Sequence, residues 1–297
     1  MKGGRFFLWQ ALLATFLWSI SKIVIKFGLL LVSPYALTFA IQLMALVALL
    51  IYYFIRKPKL NWNKDSQWIT VLVLIGVTGF VIAPLLAVVG LKYVTGTVAG
   101  LFAGLNSTLV MILAWLILRE KPTILQVVGL AIAFAGASMF LSHELFGGAL
   151  FGMLLILLAE ISYALNTVLT RMLSKQPGDQ AFTLALFGVT IGVLLLFPVG
   201  LLSGDLPKVF VMPNLSIVML VGAIFAFGGL IWNVALDQLK AIEAAVLQNT
   251  MLVQIAILSM LFLREKIEFQ HILGGATVLV GAYLVESKLI ESKKHGA

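Results

Sequence analysis

Ten runs of about twenty predominantly apolar residues follow one another along this chain, with only short connections between them. A run of that length suits an α-helix crossing the hydrocarbon core of a bilayer. In that core every backbone N–H and C=O must be satisfied within the protein, which leaves helices or closed barrels. The runs are uninterrupted rather than alternating, and this selects helices. They cover 6–30, 34–55, 67–91, 94–116, 123–142, 149–172, 180–202, 213–237, 241–262 and 268–286. Composition agrees: 62% of the 297 residues are hydrophobic, 11% are charged, and the mean hydropathy is +1.11. The expected fold is an all-α membrane protein of ten transmembrane helices with no separate soluble domain. Lys2 and Arg5 ahead of the first run give it the look of a signal peptide. No small-residue cleavage site follows and the run is too long, so it reads as a retained first span.

The net charge of +8 is spread in short clusters between the runs, which is not the footprint of a nucleic-acid binder. It works instead as a topology signal. With an even number of spans both termini share one side. A cytoplasmic N-terminus puts 14 of the 20 Lys and Arg on that side and 5 outside, and leaves Lys22 within a span. The positive-inside rule therefore predicts a multi-pass protein of the cytoplasmic membrane with both termini in the cytoplasm. The chain has no cysteine, which excludes disulfides, thiolate metal sites and cysteine nucleophiles.

The chain also repeats itself. Leu-Arg-Glu-Lys occurs at 118–121 and again at 263–266, an offset of 145, and the same offset matches Leu91 with Leu236, Gly129 with Gly274 and Gly136 with Gly281. Two five-span repeats follow, 5–142 and 149–286. An odd number of spans per repeat gives the second copy inverted topology, which explains why Arg264 and Lys266 fall on the side poor in positive charge. Inverted repeats recur in secondary transporters, where substrate sites lie near the midplane between the repeats and access alternates by rocking one against the other.

A tryptophan in the first span followed by Lys26, together with the segment from Gly90 to Leu141 and its near-copy in the second half, resembles the EamA-type drug/metabolite transporter superfamily. The resemblance covers nearly the whole chain. It implies ten helices, cytoplasmic termini and efflux or exchange of small metabolites of diverse kinds. The chain departs from the family pattern at Gln42, where many members carry an arginine, and this argues against an anion-binding role for that position. Ser107 and Leu252 stand roughly where proline is common, which implies straighter fourth and ninth helices.

Helix geometry singles out the first span. Thr15, Trp18, Lys22 and Lys26 share one face, and the offset of 145 maps them onto Glu160, Tyr163, Thr167 and Arg171. Lys22 lies about 6 Å external to the centre of its span and Glu160 near the centre of its own, so a lysine side chain can reach the carboxylate. Two readings stand side by side: a structural ion pair between packed helices, or a substrate site in which Lys22 takes a carboxylate and Glu160 an amine. A third role for Glu160, as a proton switch, loses ground if Lys22 touches it. Lys26 and Arg171 read as anchors near the helix ends. Trp18, Tyr163 and Trp232 are candidates for an aromatic wall, with packing as the alternative, whereas Trp9, Trp62 and Trp68 read as belt residues at the membrane interface. Gly96, Gly100 and Gly104 form a close-packing seam. Asn106 faces away from that seam. It and Asn249 are candidate substrate contacts, with cross-linking of helices as the alternative. Gln42, Asn166 and Asn233 are weaker candidates of the same kind.

The candidate substrate-binding set is thus Trp18, Lys22, Asn106, Glu160, Tyr163, Trp232 and Asn249. No catalytic set, metal site or cofactor is expected, because the three histidines lie far apart at span ends or in the tail and no nucleotide-binding loop is present. The leading function is a secondary transporter of a small organic metabolite, an amino acid or related amphipathic solute, with H⁺ or a counter-substrate as the coupling partner. The alternatives are an organic-cation or drug:H⁺ antiporter and, from another class, a non-transporting membrane scaffold or intramembrane enzyme. No sequence signal points to an oligomeric state.

Overall fold

Helices fill the apolar runs, and the residues between them supply the caps. The computed structural model describes residues 2–60, 65–119, 122–141, 149–173, 180–236 and 241–287. The first two spans are α1 (Lys2–Gly28) and α2 (Pro34–Arg56). The third is built from α3 (Ser66–Val77), a π-helical turn (Thr78–Ile82) and α4 (Ala83–Leu91). The fourth consists of α5 (Gly96–Gly104) and α6 (Asn106–Leu118), and the fifth is α7 (Ile124–Leu141). In the second repeat come α8 (Leu150–Leu173), α9 (Gln180–Leu202), the short α10 (Leu206–Val209), α11 (Asn214–Leu236), α12 (Ala241–Phe262) and α13 (Phe269–Ser287). Eight of the resulting spans are long and apolar enough to cross a membrane, and two further apolar helices, Leu247–Phe262 and Phe269–Val285, are shorter. Their outer faces carry exposed side chains such as Leu30, Ile124, Leu202 and Phe269, as lipid contact requires.

Local chemistry sets the boundaries. The side chains of Ser33, Asp65 and Thr95 accept from the N–H groups of Ala36, Gln67 and Val98 at the starts of α2, α3 and α5. Pro34 occupies the first turn of α2, where its missing N–H costs nothing. Arg119 and Arg264 take left-handed backbone angles (φ 56° and 57°) at the ends of α6 and α12. They are the two arginines of the duplicated Leu-Arg-Glu-Lys, so that motif works as a helix stop in both copies.

The repeats meet along α7 and α13, whose backbones touch through glycine. A Cβ on Gly129 would lie 2.7 Å from the Gly281 carbonyl, and one on Gly136 would lie 2.8 Å from the Gly274 carbonyl. The repeat offset exchanges these two contacts for one another, and residue numbers rise on one helix as they fall on the other. The pair is antiparallel about a pseudo-two-fold axis, as inverted repeats demand. The same symmetry places α1 against α11 and α12, and α8 against α4 and α6. The glycine seam of the fourth span faces α12, with Gly96 on Ser259, Gly100 on Ile255 and Gly104 on Leu252.

Two sequence expectations are corrected. The ninth span is a continuous helix, but the fourth is divided at Leu105 (φ −87°, ψ −8°) without any proline. Trp68 is not a belt residue: it is 3% exposed and packs with Leu72, Ile75, Leu169 and Leu184. Trp9 is exposed, in keeping with an interfacial place, and Trp62 lies outside the described residues.

Backbone contact at α7–α13 leaves no room for a side chain. Gly281→Ala would press a methyl against the Ala133 backbone, and thermal unfolding should register a loss of about 1–3 kcal/mol. Gly229→Ala, which meets nothing within 4 Å, should leave the melting temperature unchanged or raise it.

Candidate functional site

Every member of the first-span stripe finds a partner in the second repeat. The Gln254 amide donates to the Thr15 hydroxyl at 3.3 Å and accepts from the Ser19 hydroxyl at 2.9 Å. Trp18 packs on Trp232, ring centroids 5.6 Å apart and tilted by 54°, and lies over Gly228, where a side chain would displace it. The Lys22 ammonium is 3.9 Å from Glu160 Oε1, and that of Lys26 is 3.5 Å from Glu265 Oε1. This face of α1 is therefore a seam between the repeats.

The Lys22–Glu160 pair is the deep element of that seam, its side chains only 12% and 6% exposed. Asn106 completes it. Its amide donates to Glu160 Oε2 at 3.0 Å and to the Glu160 backbone carbonyl at 3.2 Å. The break at Leu105 restarts the helix at Asn106, which turns the amide toward α8 rather than toward the glycine seam. Both oxygens of Glu160 are thus engaged, one by a cation and one by an amide, the arrangement an intramembrane charge requires.

Beside the pair is a cavity of about 20 Å³, room for one water. The side chains of Lys22, Thr38, Gln42 and Tyr163 border it together with Ile25, Ile41, Pro84, Ala87, Val88, Leu91 and Phe225, and the surface they present to it is almost wholly apolar. Of the seven candidate residues, Lys22 and Tyr163 line this cavity, Glu160 and Asn106 join it through Lys22, and Trp18 and Trp232 pair with each other outside its lining. Asn249 is set apart: its side-chain oxygen accepts from Ser107 at 3.3 Å, linking the fourth and ninth spans. Asn166 donates to the Ile75 carbonyl and Gln42 to the Phe80 carbonyl, so both hold helices together. The Asn233 side chain lies outside the described residues.

One interaction had no expectation attached to it. Glu265, from the second Leu-Arg-Glu-Lys, accepts from the N–H groups of Gly96 and Thr97 and from the Thr97 hydroxyl at 2.7, 2.9 and 2.7 Å. It thereby caps α5 of the other repeat at its positive end while pairing with Lys26. The anchor role expected of Lys26 is replaced by a clamp tying α1, α5 and the α12–α13 connection together. The offset gave the signal: a carboxylate at the same place in both repeats. The first copy's Glu120 lies outside the described residues. Burial pushes the Glu265 carboxyl up, but the bonds from Gly96 and Thr97 and the Lys26 charge outweigh it, and its pKa lies below the ordinary glutamate value.

Removing one partner of a buried pair strands the other. Lys22→Met should lower stability by about 3 kcal/mol, and adding Glu160→Gln should restore part of it, a non-additive cycle read from melting curves. A depressed pKa gives the clamp the opposite sign from a raised one: its contribution is present at neutral pH and lost as pH falls through the folded value. The melting difference between the parent protein and Glu265→Gln should stay constant from pH 8 to about 5, shrink as the pH falls below the ordinary glutamate value, and vanish only beneath the lower folded value.

Comparison with known proteins agrees with the fold. The model of the EamA-like transporter family matches twice, at residues 5–142 and 150–287. An uncharacterized transporter of Archaeoglobus fulgidus is 29% identical over 93% of this chain and 96% of its own length. The uncharacterized transporters YetK and YyaM of Bacillus subtilis are 28% and 30% identical over 82% and 85% of this chain and 75% and 84% of their own. A solved crystal structure shares the fold, with TM-score 0.67 at 17% identity over 96% of this chain and 97% of its own. With two matches that together span nearly its whole length, the chain belongs to the EamA-like transporter family.

Proposed function

We propose that the protein is a secondary transporter that moves a small zwitterionic metabolite of the amino-acid type across the cytoplasmic membrane, with both termini in the cytoplasm. Access alternates between the two repeats, in efflux or exchange, with H⁺ or a counter-substrate as the coupling partner. The observation that carries this reading is the buried Lys22–Glu160 pair with Asn106, one charge from each repeat, beside a cavity at their junction. Empty, the pair neutralises itself. A substrate with a single charge would engage one partner and strand the other in a medium that penalises unpaired charge. A zwitterion replaces both, its carboxylate on Lys22 and its amine on Glu160. Tyr163, Trp18 and Trp232 supply an aromatic flank. The cavity is too small for such a substrate, so loading requires the repeats to part, and the Glu265 clamp is the contact to be released at the Lys26 end.

The pair counts against the organic-cation:H⁺ antiporter, which needs a carboxylate free to take up a proton from water. Here one oxygen of Glu160 faces an ammonium and the other an amide.

Counterflow in sealed liposomes tests the reading. Protein loaded with an unlabelled neutral amino acid should accumulate the labelled form, and Lys22→Ala should cut the rate at least ~10-fold while the protein stays folded. Exchange that survives Lys22→Ala intact, or no exchange across the whole panel of zwitterions, would sink it. Uptake of an organic cation driven only by a proton gradient and lost in Glu160→Gln would establish the antiporter instead.

A further inference from the structure

The third span contains a joint that is held together from outside. Its π turn, Thr78–Ile82, carries one residue more than an α-turn, and the Ala83 N–H returns to Thr78 five residues back. π turns inside α-helices are a recognised form of local distortion that recurs at functional sites. Two residues later Pro84 has no N–H to offer, so the Phe80 carbonyl four residues before it lacks its helical donor. A side chain of the second span supplies it, and two from α8 add second bonds to carbonyls that already accept within the helix, Thr78 from the Ala83 N–H and Ile75 from the Thr78 N–H. Gln42 Nε2 donates to the Phe80 carbonyl at 3.0 Å, Ser162 Oγ to the Thr78 carbonyl at 2.9 Å, and Asn166 Nδ2 to the Ile75 carbonyl at 2.9 Å. Ser162 and Asn166 belong to α8, the helix that carries Glu160.

Packing around the joint is equally specific. The Asn166 amide fills the space that a side chain on Gly79 would need, and the Phe80 ring lies against Gly188, where a Cβ would come within 2.5 Å of it. The Phe80 carbonyl sits over Gly192 at 2.8 Å from such a Cβ. Beyond the joint, Ala87, Val88 and Leu91 of α4 form one wall of the cavity, and Gln42 and Pro84 line it too. Gln42 is thus the one donor to the joint that also faces the space beside Lys22.

We propose that Gln42 is a positioning residue that couples occupancy of the cavity to this joint. With the cavity empty, its amide holds the Phe80 carbonyl and keeps α4 in place. A bound zwitterion seated on Lys22 draws the amide to itself, the carbonyl is released, and α4 pivots at Thr78–Ile82, shifting the cavity wall made by Ala87, Val88 and Leu91. The device belongs to the first repeat alone, because the offset of 145 places Phe187 opposite Gln42 and Gly229 opposite Pro84. The ligand in this scheme rests on the zwitterion reading above, whereas the mechanical part does not.

The absence of cysteine makes the test direct. Val88→Cys, buried in α4, is alkylated in detergent with a small water-soluble methanethiosulfonate, and the rate is compared with and without Gln42→Met, which keeps the length and removes the donor. The rate should rise at least ~10-fold. Adding Pro84→Ala returns an N–H four residues after Phe80 and should bring the rate back to within ~2-fold of the parent. An unchanged rate in Gln42→Met, or no reversal by Pro84→Ala, would overturn the proposal. If Gln42→Met fails to fold, recovery on adding Pro84→Ala supports the assignment and lack of recovery refutes it. In counterflow, Gln42→Met should lower kcat for any translocated zwitterion at least ~10-fold with KM within ~3-fold; a raised KM with kcat retained would make Gln42 a simple ligand contact and remove the coupling. Labelling that behaves as expected in a protein without counterflow would leave the joint standing and retire the zwitterion reading alone.

Discussion

Inside a bilayer a charge or a carbonyl that loses its partner has no water to turn to, and much of this fold answers that constraint. Lys22 is answered by Glu160, Glu160 by Asn106, the Phe80 carbonyl freed in the third span by Gln42, and the start of α5 by Glu265. The answers are not local. Lys22 with Glu160, Lys26 with Glu265, and Ser162 and Asn166 with the third span each join one repeat to the other. A bundle whose polar groups are satisfied across the repeat boundary can separate its halves only by exchanging partners. In the transport cycle proposed above, a binding event that substitutes for an internal contact, rather than adding to it, would supply that exchange.

Much of this was legible in the sequence, for a physical reason. Span positions follow from hydropathy because bilayer thickness fixes helix length, and the repeat follows from matched glycines and charges at one offset. The Lys22–Glu160 meeting could be foreseen because two costly residues at similar depth, on helices related by the repeat, have few ways to be satisfied. The details that escaped depend on the third dimension. Gln42 gave no sign of its task, since the carbonyl it serves is lost through a proline on another span, distant in sequence. Trp68 lay near a span end and looked interfacial, but α8 and α9 close over it. Asn106 was expected to face away from the glycine seam and does; that it would find Glu160 depended on the break at Leu105.

The two repeats have kept a common frame and diverged in their contents. The frame is made of backbone: glycine against glycine at α7–α13, and arginine in a left-handed turn at the end of α6 and of α12. Side chains carry the differences. The first repeat has the proline, the π turn and the lysine, while the second has the deep carboxylate and its own glycine pair in the eighth span. Such an allocation preserves the axis about which the halves are related and leaves the chemistry on either side of it free to specialise.

The cross-repeat pairing of the first span has a consequence for how the protein is made. Lys22 and Lys26 enter the membrane with α1, but Glu160 and Glu265 follow only after a whole repeat or more has been synthesised. Until then these two lysines lack the carboxylates that pair with them in the finished fold. The first repeat is in this sense an unfinished object, competent to insert and unable to settle. Its partner arrives as the missing half of a single charge-balanced unit, which makes biogenesis of the membrane-embedded bundle an all-or-none commitment by both halves.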